Sequence, residues 1–239
     1  MNIKVLRNVL EANDQVAARI RADLAARKII AVNLISAPGA GKTSLLERTI
    51  PLLKEHYRIG VLEGDIATTR DAERIEKLGV PVVQLLTGGA CHLEATLVQR
   101  GLGELNLDAI NLLIIENVGN IACPAEFDLG ENAKVGILSV TEGHDKPAKY
   151  PLLFHEISAL VLNKVDLLSY CDFDYAKFEA DFRKLNATAP IFKLSCRTGE
   201  GLGEWTHWLE HVVEGDIHVH PHTHTGVEGI QPHSHPHKH

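Results

Sequence analysis

From residue 5 to residue 24, apolar side chains return every three to four positions (Val5, Leu6, Val9, Leu10, Val16, Ile20, Leu24). That is the spacing of an amphipathic helix with one buried stripe. The pattern then changes. Ile29-Ile30-Ala31-Val32-Asn33-Leu34-Ile35 is a nearly unbroken apolar run rich in β-branched residues, suited to a parallel strand covered on both faces. Further apolar runs at 59–62, 82–86, 112–115, 135–140, 159–162 and 191–194 predict more strands, and helical segments separate most of them. Such alternation implies βαβ crossovers, hence an α/β fold with a mostly parallel sheet and helices on both faces. A last helix is expected over about 203–213, with Trp205, Trp208, Leu209 and Val212 as its apolar stripe. Beyond Gly215 the periodicity dissolves, and Pro221, Gly226, Gly229, Pro232 and Pro236 interrupt a polar, His-rich segment. It cannot bury a core, so a disordered tail is expected. The organisation read from the pattern is an N-terminal amphipathic helix over 1–28, an α/β domain over 29–215 and a flexible tail over 216–239.

Composition narrows the function. A chain of 239 residues accommodates one such domain with a short extension at each end. The formal charge of -7 and the lack of a basic block exclude a nucleic-acid surface, which needs clustered Lys and Arg. Met1-Asn2-Ile3-Lys4 leads into a stretch with no signal-like apolar region, and no run reaches membrane-spanning length. No membrane association and a cytoplasmic location are therefore expected. The four cysteines, Cys91, Cys123, Cys171 and Cys196, are too few and scattered for a disulfide framework, which leaves free thiols or metal ligands.

The strongest chemical signal is Ser36-Ala37-Pro38-Gly39-Ala40-Gly41-Lys42-Thr43, set directly after the first strand and before the helical Ser44-Leu45-Leu46. In this strand, loop and helix context a P-loop cradles phosphates on the backbone N–H groups of Gly39, Ala40, Gly41 and Ser44. Lys42 neutralises the β and γ oxygens, and the Thr43 hydroxyl ligates Mg²⁺. Ser36 departs from the usual opening Gly. Asn163-Lys164-Val165-Asp166 follows the apolar strand Leu160-Val161-Leu162. A carboxylate at Asp166 can accept both N1–H and the exocyclic amine of guanine, a contact adenine cannot make, which favours GTP over ATP. Lys164 would lie along the base, Asn163 would tie this loop to the P-loop, and the backbone of Ser195-Cys196-Arg197 would meet the guanine oxygen.

Asp65, in Glu63-Gly64-Asp65, and Glu116, in Ile114-Ile115-Glu116-Asn117-Val118-Gly119, stand at the carboxyl ends of predicted strands, where open α/β sheets bind ligands. Either can hold Mg²⁺, so Lys42, Asp65 and Glu116 are the catalytic candidates. Glu116 to Gly119 reads as a variant Asp-x-x-Gly switch whose Gly119 N–H can meet the γ-phosphate. Asp71 reads as an exposed acid at a helix start. Asn120 rather than Gln follows Gly119, so slow hydrolysis is expected.

Cys91-His92 precedes a helical pattern at Leu93-Glu94-Ala95-Thr96-Leu97, and Cys123 lies four residues after Gly119. A thiol at a helix N-terminus would have a lowered pKa, and two thiolates with an imidazole suit Zn²⁺ or Ni²⁺. Three ligands leave the site open or require a second subunit. The alternative is that both cysteines are small buried side chains and His92 a helix cap. Of fourteen histidines, eight lie in the tail: His218, His220, His222, His224, His233, His235, His237 and His239. Their interleaving with Thr, Pro and Val is unlike a purification tag, and the composition binds Ni²⁺, Zn²⁺, Cu²⁺ or Co²⁺ weakly.

Together these motifs, with Asp71-Ala72-Glu73-Arg74-Ile75, Gly89-Ala90-Cys91-His92-Leu93, Glu116-Asn117-Val118-Gly119-Asn120 and Cys123-Pro124, resemble the HypB family of hydrogenase nickel-incorporation GTPases, of the SIMIBI class. The resemblance covers roughly residues 30 to 200 and includes Ser36. It implies a GTP-dependent homodimer that helps deliver Ni²⁺ to the large-subunit precursor of [NiFe] hydrogenase, with a HypA-type metallochaperone as partner. It further implies that Cys91, His92 and Cys123 ligate Ni²⁺ or Zn²⁺ at the dimer interface, and that the Cys-rich N-terminal metal motif of some relatives is lacking here. The urease accessory GTPases, the nearest alternative, place Pro between their Cys and His. A nickel or zinc storage protein on a GTPase fold is the other, against which the intact Lys42, Thr43 and Asp166 argue.

Overall fold

The computed structural model describes residues 2–66 and 69–216; the eight tail histidines lie outside them. Seven strands form one sheet in the order β3-β2-β4-β1-β5-β6-β7. They are β1 (Ile30–Ser36), β2 (Ile59–Asp65), β3 (Val82–Leu86), β4 (Leu112–Glu116), β5 (Ala133–Ser139), β6 (Ala159–Asn163) and β7 (Ile191–Lys193). Every pairing is parallel, so the expected mostly parallel sheet is parallel throughout. Strand β5 starts two residues before the apolar run because Lys134 is buried within it, with Nζ donating to the Ala125 carbonyl at 3.0 Å.

The helices are α1 (Asn2–Ala26), α2 (Lys42–Leu53), α3 (Arg70–Glu76), α4 (Ala95–Leu102), α5 (Cys123–Glu126), α6 (Lys146–Lys149), α7 (Pro151–Glu156), α8 (Tyr175–Leu185) and α9 (Leu202–Glu214). Alternation along β1 divides the core. Val32 and Leu34 pack with α2 and α9, whereas Ala31 faces α1 and α4. A third cluster joins β5 and β6 to α7 and α8 through Phe154, Phe178 and Phe182. Among the described residues, no helix is long and apolar enough to cross a membrane.

Helix α1 does more than cover the sheet. Ala17, Ile20 and Leu24 are buried beside Leu93, Ala95 and Val98. Buried Asn13 accepts from the Ala95 N–H at 2.8 Å and donates to the Asp128 carbonyl at 2.7 Å. Arg21 clamps the Asp128 carboxylate at 2.6 and 2.8 Å. One helix thus ties down the segments that follow the two cysteine-bearing turns.

Candidate active site and metal centre

Strand β1 ends at Ser36 and the chain turns sharply into α2. Gly41 adopts φ 106°, and a Cβ there would collide with the Asn163 amide, so only Gly fits this close approach. Lys42 is buried, with Nζ 3.1 Å from Ser36 Oγ. Ser36, the departure from the usual opening Gly, is therefore a contact of the lysine. Desolvation holds the Lys42 pKa below its ordinary value, partly offset by Glu116, Asp71 and Glu63.

Thr43 Oγ1 donates to Glu116 Oε1 at 2.7 Å. Parallel pairing sets Glu63 of β2 directly beside Glu116 of β4, and both are buried. Burial raises the Glu116 carboxyl to about 7, opposed by Lys42 and the Thr43 hydrogen bond. Burial, then Glu116, Asp65 and Asp71, raise Glu63 to about 8. One oxygen of each, Glu63 Oε2 and Glu116 Oε2, is buried without a hydrogen-bond partner. Orphaned carboxylate oxygens beside a threonine hydroxyl and Lys42 fit a divalent cation on a phosphate chain. Glu63, Asp65 and Asp71 also come within 4.8 Å of one another. Asp71 sits in the first turn of α3, as its sequence position suggests, but it is ion-paired with Arg74 at 2.8 Å rather than simply solvated. Arg74 also grips Glu47 through two bonds at 2.9 and 2.7 Å.

The raised carboxylates predict a pH effect. Their folded-state pKa values lie above those of the unfolded chain, so their stabilising contribution is complete below the ordinary carboxylate range and is lost as pH rises through about 7 to 8. Thermal unfolding of the nucleotide-free protein should therefore show Glu63→Gln gaining on the wild type between pH 6 and pH 8.5. A constant difference across that range would contradict the burial of an ionisable Glu63.

The guanine-type loop meets the P-loop from the other side. Asn163 Nδ2 donates to the Ala40 carbonyl at 2.8 Å, and Lys164 Nζ donates to the Gly39 carbonyl at 2.7 Å. Asn163 Oδ1 accepts from Cys196 N at 3.2 Å, while Ser195 Oγ donates to Asp166 Oδ1 at 2.6 Å. Arg48 of α2 fixes the Cys196 and Arg197 carbonyls at 2.7 and 2.9 Å. The P-loop, Glu63, Asp65, Glu116, Gly119, Asp166 and Cys196 line one open cleft of about 750 Å³, large enough for a nucleoside triphosphate.

Cys91, His92 and Cys123 converge, each with a ligand atom within 4.8 Å of the others. Their local setting corrects one expectation. Cys91 does not open a helix: Leu93 is pulled into the core, its N–H is taken by Asn117 Oδ1 at 3.2 Å, and α4 starts only at Ala95. Cys91 therefore lies four residues ahead of α4 rather than at its first turn. Cys123 is the residue that begins a helical turn, α5. Its pKa is raised, first by a hydrogen bond with Cys91 and then by burial. His92 stacks on Phe127 with ring centroids 3.9 Å apart, and its Nε2 is buried without a hydrogen-bond partner. Burial lowers the His92 pKa against the pull of Glu94 and Glu126, favouring the neutral imidazole that metals require. His92 Nδ1, 3.8 Å from Cys91 Sγ, together with the two free thiols suits a borderline metal ion, while Nε2 turns toward Glu94 at 3.8 Å.

Sequence reading assigned Asn117 no role beyond its place in the switch, yet it joins the two sites. Its side chain accepts from Leu93 N and Val118 N, and donates to Asn33 Oδ1 at 3.3 Å. Asn33 in turn donates to Glu131 at 3.1 Å. Asn120 Oδ1 accepts from Ala122 N at 2.8 Å, so this side chain shapes the turn before Cys123.

A P-loop on a parallel sheet, faced by an Asn-Lys-x-Asp loop, defines a nucleotide-binding protein of the P-loop GTPase class. The CobW/HypB/UreG nucleotide-binding domain matches residues 30–193. The hydrogenase maturation factor HypB of Azotobacter vinelandii is 49% identical over 87% of this chain and 69% of its own length. That of Escherichia coli K12 is 49% identical over 85% of this chain and 70% of its length. The crystal structure of HypB from Helicobacter pylori in complex with nickel is 34% identical, with a TM-score of 0.84 over 89% of this chain and 99% of that one. This chain belongs to the HypB family of hydrogenase maturation factors.

Proposed function

We propose that the chain is a GTP-hydrolysing switch in the cytoplasm that assists nickel insertion during maturation of [NiFe] hydrogenase. It works as a GTP-dependent homodimer, receives Ni²⁺ with a HypA-type metallochaperone and acts on the hydrogenase large-subunit precursor. Family membership supports the maturation role, and the nickel complex of the Helicobacter relative supports the cargo. The observation that carries the switch is the segment from Glu116 to Cys123. It begins on the P-loop threonine, is bonded through Asn117 to the residue after His92, and ends at Cys123 beside Cys91.

Backbone amides from Gly39 to Ser44 and the Lys42 amine hold the phosphates, and Asp166 selects guanine. Thr43, Glu116 and Asp65 would hold Mg²⁺, each carboxylate directly or through water, and the ion would supply charge neutralisation on the phosphate oxygens. Binding of the γ-phosphate at Gly119 N–H orders residues 116–123. This shifts Cys123 relative to Cys91 and His92 and so alters the hold on Ni²⁺ or Zn²⁺; phosphate release relaxes the segment.

The test is complementation. In cells that make a [NiFe] hydrogenase but lack their own HypB, this chain should restore nickel to the large subunit, and Cys123→Ala should not. A folded, GTP-hydrolysing chain that restores nothing would refute the proposed role.

A further inference from the structure

Helix α9 carries His207-Trp208-Leu209-Glu210-His211, two histidines one turn apart. Buried Trp205, Trp208, Leu209 and Val212 fix the rotation of the helix, so the imidazoles point outward, with His207 70% exposed. Their Nε2 atoms approach to 3.1 Å. Behind each ring stands a carboxylate: Asp216 Oδ2 lies 3.1 Å from His211 Nδ1, and Glu210 Oε2 lies 3.7 Å from His207 Nδ1.

This arrangement has an electrostatic consequence. Without metal, one Nε2–H can donate to the other Nε2; when each Nδ1–H instead faces its carboxylate, the two Nε2 lone pairs face one another and a cation can bridge them. Metal–nitrogen bonds of about 2.0–2.1 Å at octahedral to tetrahedral angles place two imidazole nitrogens about 2.9–3.4 Å apart, which brackets the observed separation. A carboxylate behind the ligating imidazole is the usual support of such a ligand. His211, Glu214 and Asp216 also offer atoms within 4.8 Å of one another, although Glu214 already accepts from the Tyr57 hydroxyl at 2.8 Å.

We propose that His207 and His211 form a second transition-metal site, of the Ni²⁺ or Zn²⁺ class, oriented by Asp216 and separate from the Cys91, His92 and Cys123 centre. In sequence it stands immediately before the histidine-rich tail, whose first imidazole, His218, follows Asp216 by two positions. This assignment is independent of the hydrogenase role.

The test uses the full chain with ¹⁵N-labelled imidazoles, titrated with Zn²⁺ and followed by NMR. The ring resonances of His207 and His211 should shift together with one apparent Kd. His207→Gln should remove the His211 response while tail histidines still respond, and Asp216→Asn should weaken binding by about 10-fold or more. A His211 shift that persists in His207→Gln, or no shift of either ring while the tail saturates, would overturn the site.

Discussion

Asp166→Asn should lower affinity for GTP and GDP by about 10²- to 10⁴-fold and raise affinity for xanthosine nucleotides. The carboxylate accepts two charge-assisted hydrogen bonds from guanine, each worth about 1.5–3 kcal/mol. An asparagine offers one acceptor and one donor, so its amide would face the guanine amine with a repelling N–H while matching the C2 carbonyl of xanthine. Asp166 is prepared for this work: Ser195 Oγ orients Oδ1 at 2.6 Å, and Lys164 in the left-handed region bends the loop toward Gly39. Titration with fluorescent GDP and XDP reads the exchange directly. Unchanged guanine affinity in the folded variant would place the base elsewhere.

The second large effect concerns turnover. Lys42→Ala should reduce GTP hydrolysis by about 10²- to 10³-fold, the scale of losing one preorganised group aimed at developing charge in a water-poor site. Lys42 is buried at a desolvation cost that Ser36 and the nearby carboxylates offset only in part, visible in its lowered pKa, and phosphate oxygens supply the remaining countercharge. The folded state should survive the substitution, since the loss relieves a buried cation, and removing Lys42 takes away a charge that holds the Glu116 carboxyl down, so that carboxyl is easier to keep neutral. Single-turnover assays with circular dichroism as a check on folding separate the two effects. Hydrolysis at the wild-type rate would mean that the cleft is not the reaction site.

Much of this was legible because the informative residues are neighbours in sequence. Ser36 to Thr43 and Asn163 to Asp166 carry their own strand and loop context, and the apolar runs located every strand. What escaped depends on pairing between distant segments. Glu63 looks like an ordinary acid two positions before Asp65; only the β2–β4 register sets it beside Glu116. Asn117 looks like a filler between Glu116 and Gly119, and its partners Leu93 and Asn33 are 24 and 84 residues away. Helix α4 starts later than the apolar pattern predicts because a tertiary bond to Leu93 N–H overrides local helix preference. The histidine pair on α9 had a visible spacing, but the convergence of its rings depends on which face the tryptophans bury.

The central claim is that nucleotide state and metal site are coupled through residues 116–123. It is tested most directly by Ni²⁺ affinity in the GDP state and in the state bound to a non-hydrolysable GTP analogue, read from thiolate-to-nickel charge-transfer absorbance, which tail imidazoles do not produce. Coupling of this kind should separate the two affinities by at least about fivefold, and Asn117→Ala should bring them together while each ligand still binds. Equal affinities in the two nucleotide states of the wild-type chain would contradict the account, because a ligand that does not distinguish two states cannot switch between them.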